Sequence, residues 1–321
     1  MNNANRRLSP KAIGGVLIRN GVMIGFASLV IVLALVAPNF VSRANLFSIL
    51  TQAAPFVLMA IGEMIVVLVA GIDLSVGAVA GLTGASAGLF ITAVGLPWPL
   101  ALVISLAIAA AIGTLQGMII NYLHVTDFIA TLAGLSIVSS LTLVATSGNP
   151  ISINAAGFNA IAQDSALGVP IQIWLAAAVV VIVAIWLAVS AGGVHLYAIG
   201  GSRIAAFRAG IRVGLIRTMA YAASAVCAGL AGIVFASELG SADPTAGRGD
   251  ELTAIAAVVI GGVSLFGGVG SIWGVLVGAL LISTILDGLV LLNVSPFYTQ
   301  MVEGIVILLA VMLDYLKRRP A

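Results

Sequence analysis

Apolar residues run along this chain in long blocks, separated by short clusters of glycine, proline and polar residues. A helix needs roughly 20 apolar residues to cross the hydrocarbon core of a bilayer. Ten blocks approach that length, at 20–38, 46–70, 74–94, 98–122, 125–146, 171–190, 214–237, 252–266, 270–292 and 297–316, the one at 252–266 being short. Gly71, Pro97, His124, Gly148 with Pro150, Gly192 with Gly193, Gly267 with Gly268, and Pro296 supply most of the breaks. The first block follows Arg6, Arg7, Lys11 and Arg19 in the manner of a signal peptide. It lacks a small-x-small cleavage site and leads into further blocks, so it reads as a retained anchor. The pattern predicts an all-α polytopic membrane protein of about ten transmembrane helices, forming one domain over 1–321.

Composition removes the soluble alternative. Of 321 residues, 61% are hydrophobic and 7% charged, against about 25% charged in a soluble domain. Charge placement sets the orientation, because cytoplasmic segments are enriched in Lys and Arg. With both termini inside and ten crossings, the cytoplasmic side receives the 1–19 tail, the 191–217 loop (Arg203, Arg208, Arg212, Arg217) and the C-tail (Lys317, Arg318, Arg319). Only Arg43 and Arg248 then lie outside, where the polar loops 147–170 and 238–251 are expected. The stretch 44–202 holds no Lys or Arg, so charge cannot check the helix count there.

Charge also excludes functions. A P-loop needs a lysine that reaches the phosphates, and the only lysines are Lys11 and Lys317 at the two ends. The chain therefore lacks its own ATP motor of that kind. A net charge of +2, gathered at a few points, gives no surface for nucleic acid. The single cysteine, Cys227, forms no intrachain disulfide, and no residue pattern calls for a metal or cofactor.

The sharpest local feature is Gly71-Ile-Asp-Leu-Ser-Val-Gly77, a carboxylate between glycines in an otherwise apolar run. An ionisable group at the membrane centre costs roughly 2.5–3.5 kcal/mol on insertion scales. Asp73 can cap the next helix, accepting from the free N–H of Ser75 or Val76, or mark a broken helix that lines a solute path. The two readings are compatible. Glu63, Asp287 and Glu303 also lie inside predicted spans and should face the bundle interior or a water-filled cavity. Gly84-Ala-Ser-Ala-Gly88 matches the nucleophile-elbow pattern, but it lies within a span and lacks the strand–turn–helix setting. It reads as close helix packing, like Gly113/Gly117 and Gly274/Gly278. A weak internal echo pairs 69–75 with 260–266.

On the basic loop, Ser202 is a candidate N-cap and Gly210 a candidate C′ residue of a short helix. Ile204 and Phe207 fall three apart on one face, flanked by Arg203 and Arg208, with Ala205 and Ala206 between. This segment either rests on anionic lipid or presents an apolar knob to a partner protein.

Four stretches in register, Gly71–Gly77, Asp127-Phe-Ile-Ala-Thr-Leu-Ala133, Tyr197-Ala-Ile-Gly-Gly201 with Ala205, Ala206, Gly210 and Ile211, and Pro244–Gly262, resemble the permease subunits of bacterial ABC sugar importers, the ribose/xylose-type branch of the binding-protein-dependent transport family. The resemblance runs from about 22 to 315. It departs at Ser202, where the family usually has Asn, at Glu63, usually neutral, and at Asp287-Gly288, usually Asn-Gly.

That resemblance implies two permeases, a homodimer or a pair of paralogues, forming a path through the bacterial inner membrane. A periplasmic binding protein delivers a monosaccharide, and a separate cytoplasmic ATPase drives alternation, so the chain itself is not an enzyme. The 202–210 helix would seat in the ATPase. Gly71, Asp73, Ser75, Gly77, Glu63 and Asp287 would bear on the path, and Asp243, Asp250 and Glu251 would orient the binding protein through complementary charge. Permeases of branched amino-acid importers share the layout and are the nearest competitor. From another class, an ion-coupled carrier would use Glu63, Asp73, Asp287 and Glu303. An intramembrane enzyme would need a nucleophile–base pair, and none is evident.

Overall fold

The structure is a computed structural model that describes residues 21–295 and scattered positions from 298 to 312. The two basic tails and Glu303 lie outside the described residues, as does the tenth block, 297–316, apart from those positions. Twelve helices account for most of the described chain. They are α1 (Gly21–Val36), α2 (Arg43–Leu68), α3 (Val76–Thr92), α4 (Trp98–Tyr122), α5 (Asp127–Thr146), α6 (Ala156–Gln163), α7 (Ile171–Val189), α8 (Ala191–Gly201), α9 (Arg203–Arg208), α10 (Val213–Leu239), α11 (Asp250–Ile260) and α12 (Ile272–Leu291). Two small antiparallel pairs complete it, β1 (Ile151–Ser152) with β4 (Ser241–Ala242) and the hairpin β2 (Ser165–Ala166) with β3 (Val169–Pro170).

Among the described residues six helices, α2, α4, α5, α7, α10 and α12, are long and apolar enough to cross a membrane. At about 1.5 Å per residue the 11-residue α11 reaches only some 16 Å, half a bilayer core. The block at 252–266 is therefore not one spanning helix. Its path is completed by the non-helical stretch 243–249, whose backbone at Gly247 and Ala246 lies against Gly77 and Gly81 of α3. The loop expected at 238–251 is thus folded into the bundle, with Ala242, Pro244 and Gly247 buried and Thr245 and Arg248 exposed.

α10 is the central post, packed against α4, α2 and α3, while α12 packs on α2 and α11. Small residues allow the approach: a Cβ on Gly84 would lie 2.8 Å from Gly232 O, and one on Gly117 2.7 Å from Thr218 Cα. Gly113 meets the Tyr221 backbone, and Gly274 and Gly278 meet Gly261 and Ala257. Without a hydrophobic driving force in lipid, such contacts supply the packing between helices. Several hydroxyls inside the helices bond their own backbone, as Thr83, Thr114, Thr131 and Thr142 each donate to the carbonyl four residues earlier, which satisfies them without water.

The two ends of the bundle differ. At one, the arginine end, the ends of α2 and α4 meet the starts of α5 and α10, the α8–α9 segment and the turn after α11. At the other, α6 and the β1–β4 pair cover the end of α10, and Ser237 Oγ donates to Phe158 O at 2.9 Å. Asn45 Nδ2 donates to Asp287 Oδ2 there at 2.9 Å.

Candidate functional site

The stretch between α2 and α3 is a break built around one carboxylate. α2 ends in a Schellman motif, with Ala70 N–H on Val67 O and Gly71 N–H on Val66 O. The left-handed residue is Ala70 (φ 56°), not the glycine that follows. Gly71 serves proximity instead: a Cβ there would sit 2.6 Å from Tyr221 Oη and 3.1 Å from Asp127 Oδ2.

Asp73 then turns inward. Its Oδ1 accepts from Ser75 N–H at 2.9 Å and from Ser75 Oγ at 2.6 Å, and its Oδ2 accepts from Ser224 Oγ of α10 at 3.1 Å. The Asp73 N–H donates to Glu63 Oε1 at 3.2 Å, and Ser75 Oγ lies 3.0 Å from Gln116 Oε1 of α4. Glu63, Asp73, Ser75 and Ser224 are at most 1% exposed, so the cluster is sealed from both sides. Every bond to the Asp73 carboxylate comes from a donor, the arrangement that makes a buried acidic group tolerable.

Toward the arginine end a second polar layer closes the break. Arg217 Nη2 lies 2.7 Å from Asp127 Oδ2, which also accepts from Tyr221 Oη at 2.9 Å, and Arg217 Nη1 donates to Asn121 Oδ1. Arg203 Nη2 donates to Ala70 O at 2.9 Å. Gly268 N–H donates to Leu68 O at 3.0 Å, so the turn after α11 is tied to the end of α2.

α9 projects from this end. Ser202 caps it, its Oγ accepting from Ala205 N–H at 3.2 Å, and Ile211 N–H closes a Schellman motif on Ala206 O through Gly210 at φ 82°. Ala206 is buried, whereas Ile204 is 68% and Phe207 73% exposed. Arg208 and Ala205 are exposed beside them.

Of the six residues expected to bear on the helix break or the path, the structure brings four together. Gly71, Asp73, Ser75 and Glu63 come together. Gly77 faces the Gly247 backbone and the Glu251 carboxylate, and Asp287 lies at the opposite end, held by Asn45. Of the three acids of the outer segment, Asp243 accepts from Thr245 N–H and Oγ1, both at 2.7 Å, and Glu251 accepts from Gly249 N–H at 3.1 Å. Both are half-buried, as is Asp250. Sequence reasoning missed Gln116, Ser224, Tyr221 and the Asp127–Arg217 pair as members of the cluster. Only the pairing of an acid and an arginine near predicted span ends could have pointed to the last. A separate groove of about 260 Å³ between α2, α7 and α12, lined by Leu50, Val57, Val180, Trp273 and Leu280, is apolar throughout and suits an acyl chain rather than a hydroxylated solute.

The family described as "Branched-chain amino acid transport system / permease component" matches residues 45–311. The chain is a member of that permease family. The ribose import permease protein of Escherichia coli K12 is 40% identical over 302 residues, 92% of this chain and 93% of that protein. The ribose import permease protein of Bacillus subtilis 168 is 41% identical over 303 residues, 94% of each. The D-allose transport system permease protein of E. coli K12 is 37% identical over 278 residues, 86% of this chain and 85% of that protein. No solved structure matches the chain. The permease is thus a multi-pass membrane component of a transport system rather than an enzyme.

Proposed function

We propose that this permease forms the membrane path of an ATP-driven importer for a monosaccharide in the bacterial inner membrane, working with a cytoplasmic ATPase, a periplasmic sugar-binding protein and a second permease, identical or paralogous. The sugar class is supported by the relatives, whose names specify ribose and allose. In this reading the chain makes ten crossings with both termini cytoplasmic, the arginine end faces the cytoplasm, and the half-buried Asp243, Asp250 and Glu251 orient the binding protein at the other face. The path opens when the sealed cluster at Asp73 and the 243–249 stretch part.

The observation that carries the ATPase assignment is the exposed pair Ile204 and Phe207 on a doubly capped helix at the arginine end. A buried side chain beneath and two large apolar ones above make a rigid knob. Truncating such an anchor typically removes about 2 kcal/mol or more of binding, and Phe207→Asp adds a desolvated charge. The test is co-purification of the ATPase from mild detergent, together with D-ribose, D-allose and L-arabinose uptake in cells. Phe207→Asp is expected to lose both while remaining inserted and dimeric. Normal co-purification and uptake in that variant would return α9 to the role of a loop resting on lipid.

A further inference from the structure

The ATPase-facing helix and the helix break are joined by one side chain. Arg203 is the first residue of α9, and its Nη2 donates at 2.9 Å to the carbonyl of Ala70, the left-handed residue that ends α2. Ala70 lies just past the C-cap of α2, beside the negative end of the helix dipole, so a guanidinium is well suited to hold its carbonyl. Next along the chain, Gly71 rests against Tyr221 Oη and Asp127, and two residues later Asp73 binds Ser75 and Ser224. The link therefore runs from α9 to the break by one hydrogen bond and then through covalent backbone. The charged groups around Arg203 are Arg217, which repels it, and Asp127, which attracts it. Arg217 is already paired with Asp127, which leaves the Arg203 guanidinium free to serve Ala70.

The backbone beside it supports the same connection. Gly200, just before the α8–α9 corner, lies so close to Leu68 O and Gly268 N that a Cβ would collide with both. The corner between α8 and α9 thus sits on the ends of α2 and of the turn after α11. A displacement of α9 by a partner is delivered to these two places.

We propose that Arg203 is a positioning residue for transport, a strut that transmits movement of α9 to the Ala70–Ser75 break and does not itself dock the ATPase. This rests on the reading of α9 as the ATPase-docking helix, and the experiment keeps the two apart. Arg203→Met has comparable length and no donor, and Arg203→Lys restores a charged donor. Each variant is reconstituted as the full importer with ATPase and binding protein, and D-ribose uptake, ATP hydrolysis and ATPase co-purification are read in parallel. Loss of one charge-assisted hydrogen bond is expected to lower uptake by about tenfold in Arg203→Met while ATPase binding and hydrolysis persist, so that more ATP is spent per sugar. Arg203→Lys is expected to recover a large part of the uptake.

Wild-type uptake in Arg203→Met would overturn the proposal. So would loss of ATPase binding in that variant, since Arg203 would then be a docking contact and the reading of α9 would stand. If Phe207→Asp, run alongside, keeps both binding and uptake, the reading of α9 falls and the strut falls with it. Should Arg203→Met fail to insert, Arg203→Gln, with a shorter amide donor, takes its place. Failure of both to insert would overturn the proposal, because the residue would then be holding the fold.

Discussion

Two of the helix breaks among the described residues are built in the same way and stabilised by different means. At 69–75, α2 ends in a Schellman motif through left-handed Ala70; at 261–271, α11 ends in one through left-handed Gly262, with Val263 N–H on Val258 O. Two or three residues on, Asp73 accepts from Ser75 N–H and Ser264 Oγ accepts from Phe266 N–H. The first break is then closed by side chains, Glu63, Asp73, Ser75 and Ser224 within and Asp127, Arg217 and Tyr221 beside it. The second is closed largely by backbone, with Gly267 and Gly268 packed on Ala70 and on Gly200 and Gly201. A break made of side chains can be rearranged by rotating bonds, whereas one made of glycine contacts moves as a block. On this comparison the first break has bonds that can rotate, and the proposed strut at Arg203 would act on it, with the second break as its abutment.

The contrast is broken most strongly at the ion pair beside the first break. Asp127→Ala leaves Arg217, 5% exposed, without its carboxylate and Tyr221 without its acceptor. Removing one partner of a buried pair costs about 3 kcal/mol, somewhat less here because the Asp127 side chain is 20% exposed, and this should appear as a clear drop in melting temperature in detergent and a loss of folded yield. A melting temperature within error of wild type would remove the side-chain account of this break. Next in size is Gly200→Ala, where the added methyl meets backbone belonging to both breaks. Overpacking of that kind costs about 2 kcal/mol. An unperturbed thermal scan would show that the corner of α8 and α9 does not bear on the breaks.

Much of this arrangement was legible in the chain. The apolar blocks located nearly every long helix because a lipid environment demands long, internally bonded segments. Ser202 and Gly210 marked α9 because caps are local chemistry. Asp73 announced the first break because a lone acid in an apolar run must have donors. Less legible was whatever depends on two distant segments meeting. Gly71 marked the break but not the reason for a glycine there: Ala70 takes the left-handed conformation, and Gly71 is small because Tyr221 and Asp127 occupy the space where its side chain would go. The short block at 252–266 looked like a whole crossing because its partner in crossing, 243–249, is a polar run of turns rather than helix. Asp287 reads from the sequence as an acid bearing on the path, and its partner Asn45, 242 residues away, could not be read there. The internal echo of 69–75 in 260–266 aligns Asp73 with Ser264 as the turns require, but the left-handed residues pair one position further on, Ala70 with Gly262.

That offset gives a smaller and sharper test. A non-glycine residue in left-handed conformation costs roughly 1–2 kcal/mol, and glycine's greater unfolded-state freedom offsets about 0.5–1 kcal/mol of the gain on replacing it. Ala70→Gly should therefore stabilise the permease by about 0.5 kcal/mol, and Gly262→Ala should destabilise it by a similar or larger amount. Equal and same-signed shifts for both would mean that the two breaks do not share the motif.

A small effect is also expected where the sequence alone raised the greatest alarm. Asp73 accepts three hydrogen bonds, two from Ser75 and one from Ser224, and donates none through its side chain. Asparagine keeps an oxygen at Oδ1 for both Ser75 donors, and its amide can donate to the Ser224 hydroxyl once that rotor turns, since a hydroxyl both donates and accepts. The variant also removes a charge from a site that is 1% exposed, which offsets part of what the weaker hydrogen bonds lose. Asp73→Asn should thus stay within about 1 kcal/mol of wild type in stability and retain most of its uptake. Asp73→Ala, which takes the acceptor from Ser75 N–H and Ser224 Oγ and leaves Ser75 Oγ only Gln116 Oε1, should lose most of it, and Asp73→Lys all of it. A proton carrier would give a different order, because asparagine cannot titrate and would be as inactive as alanine. The measurement is D-ribose uptake at matched permease abundance, with and without an uncoupler, in cells whose ATP is maintained. If the asparagine variant is inactive and the uncoupler stops the wild type, the carboxylate is moving protons, and both its role as a fixed acceptor and the ATP-driven reading fail together.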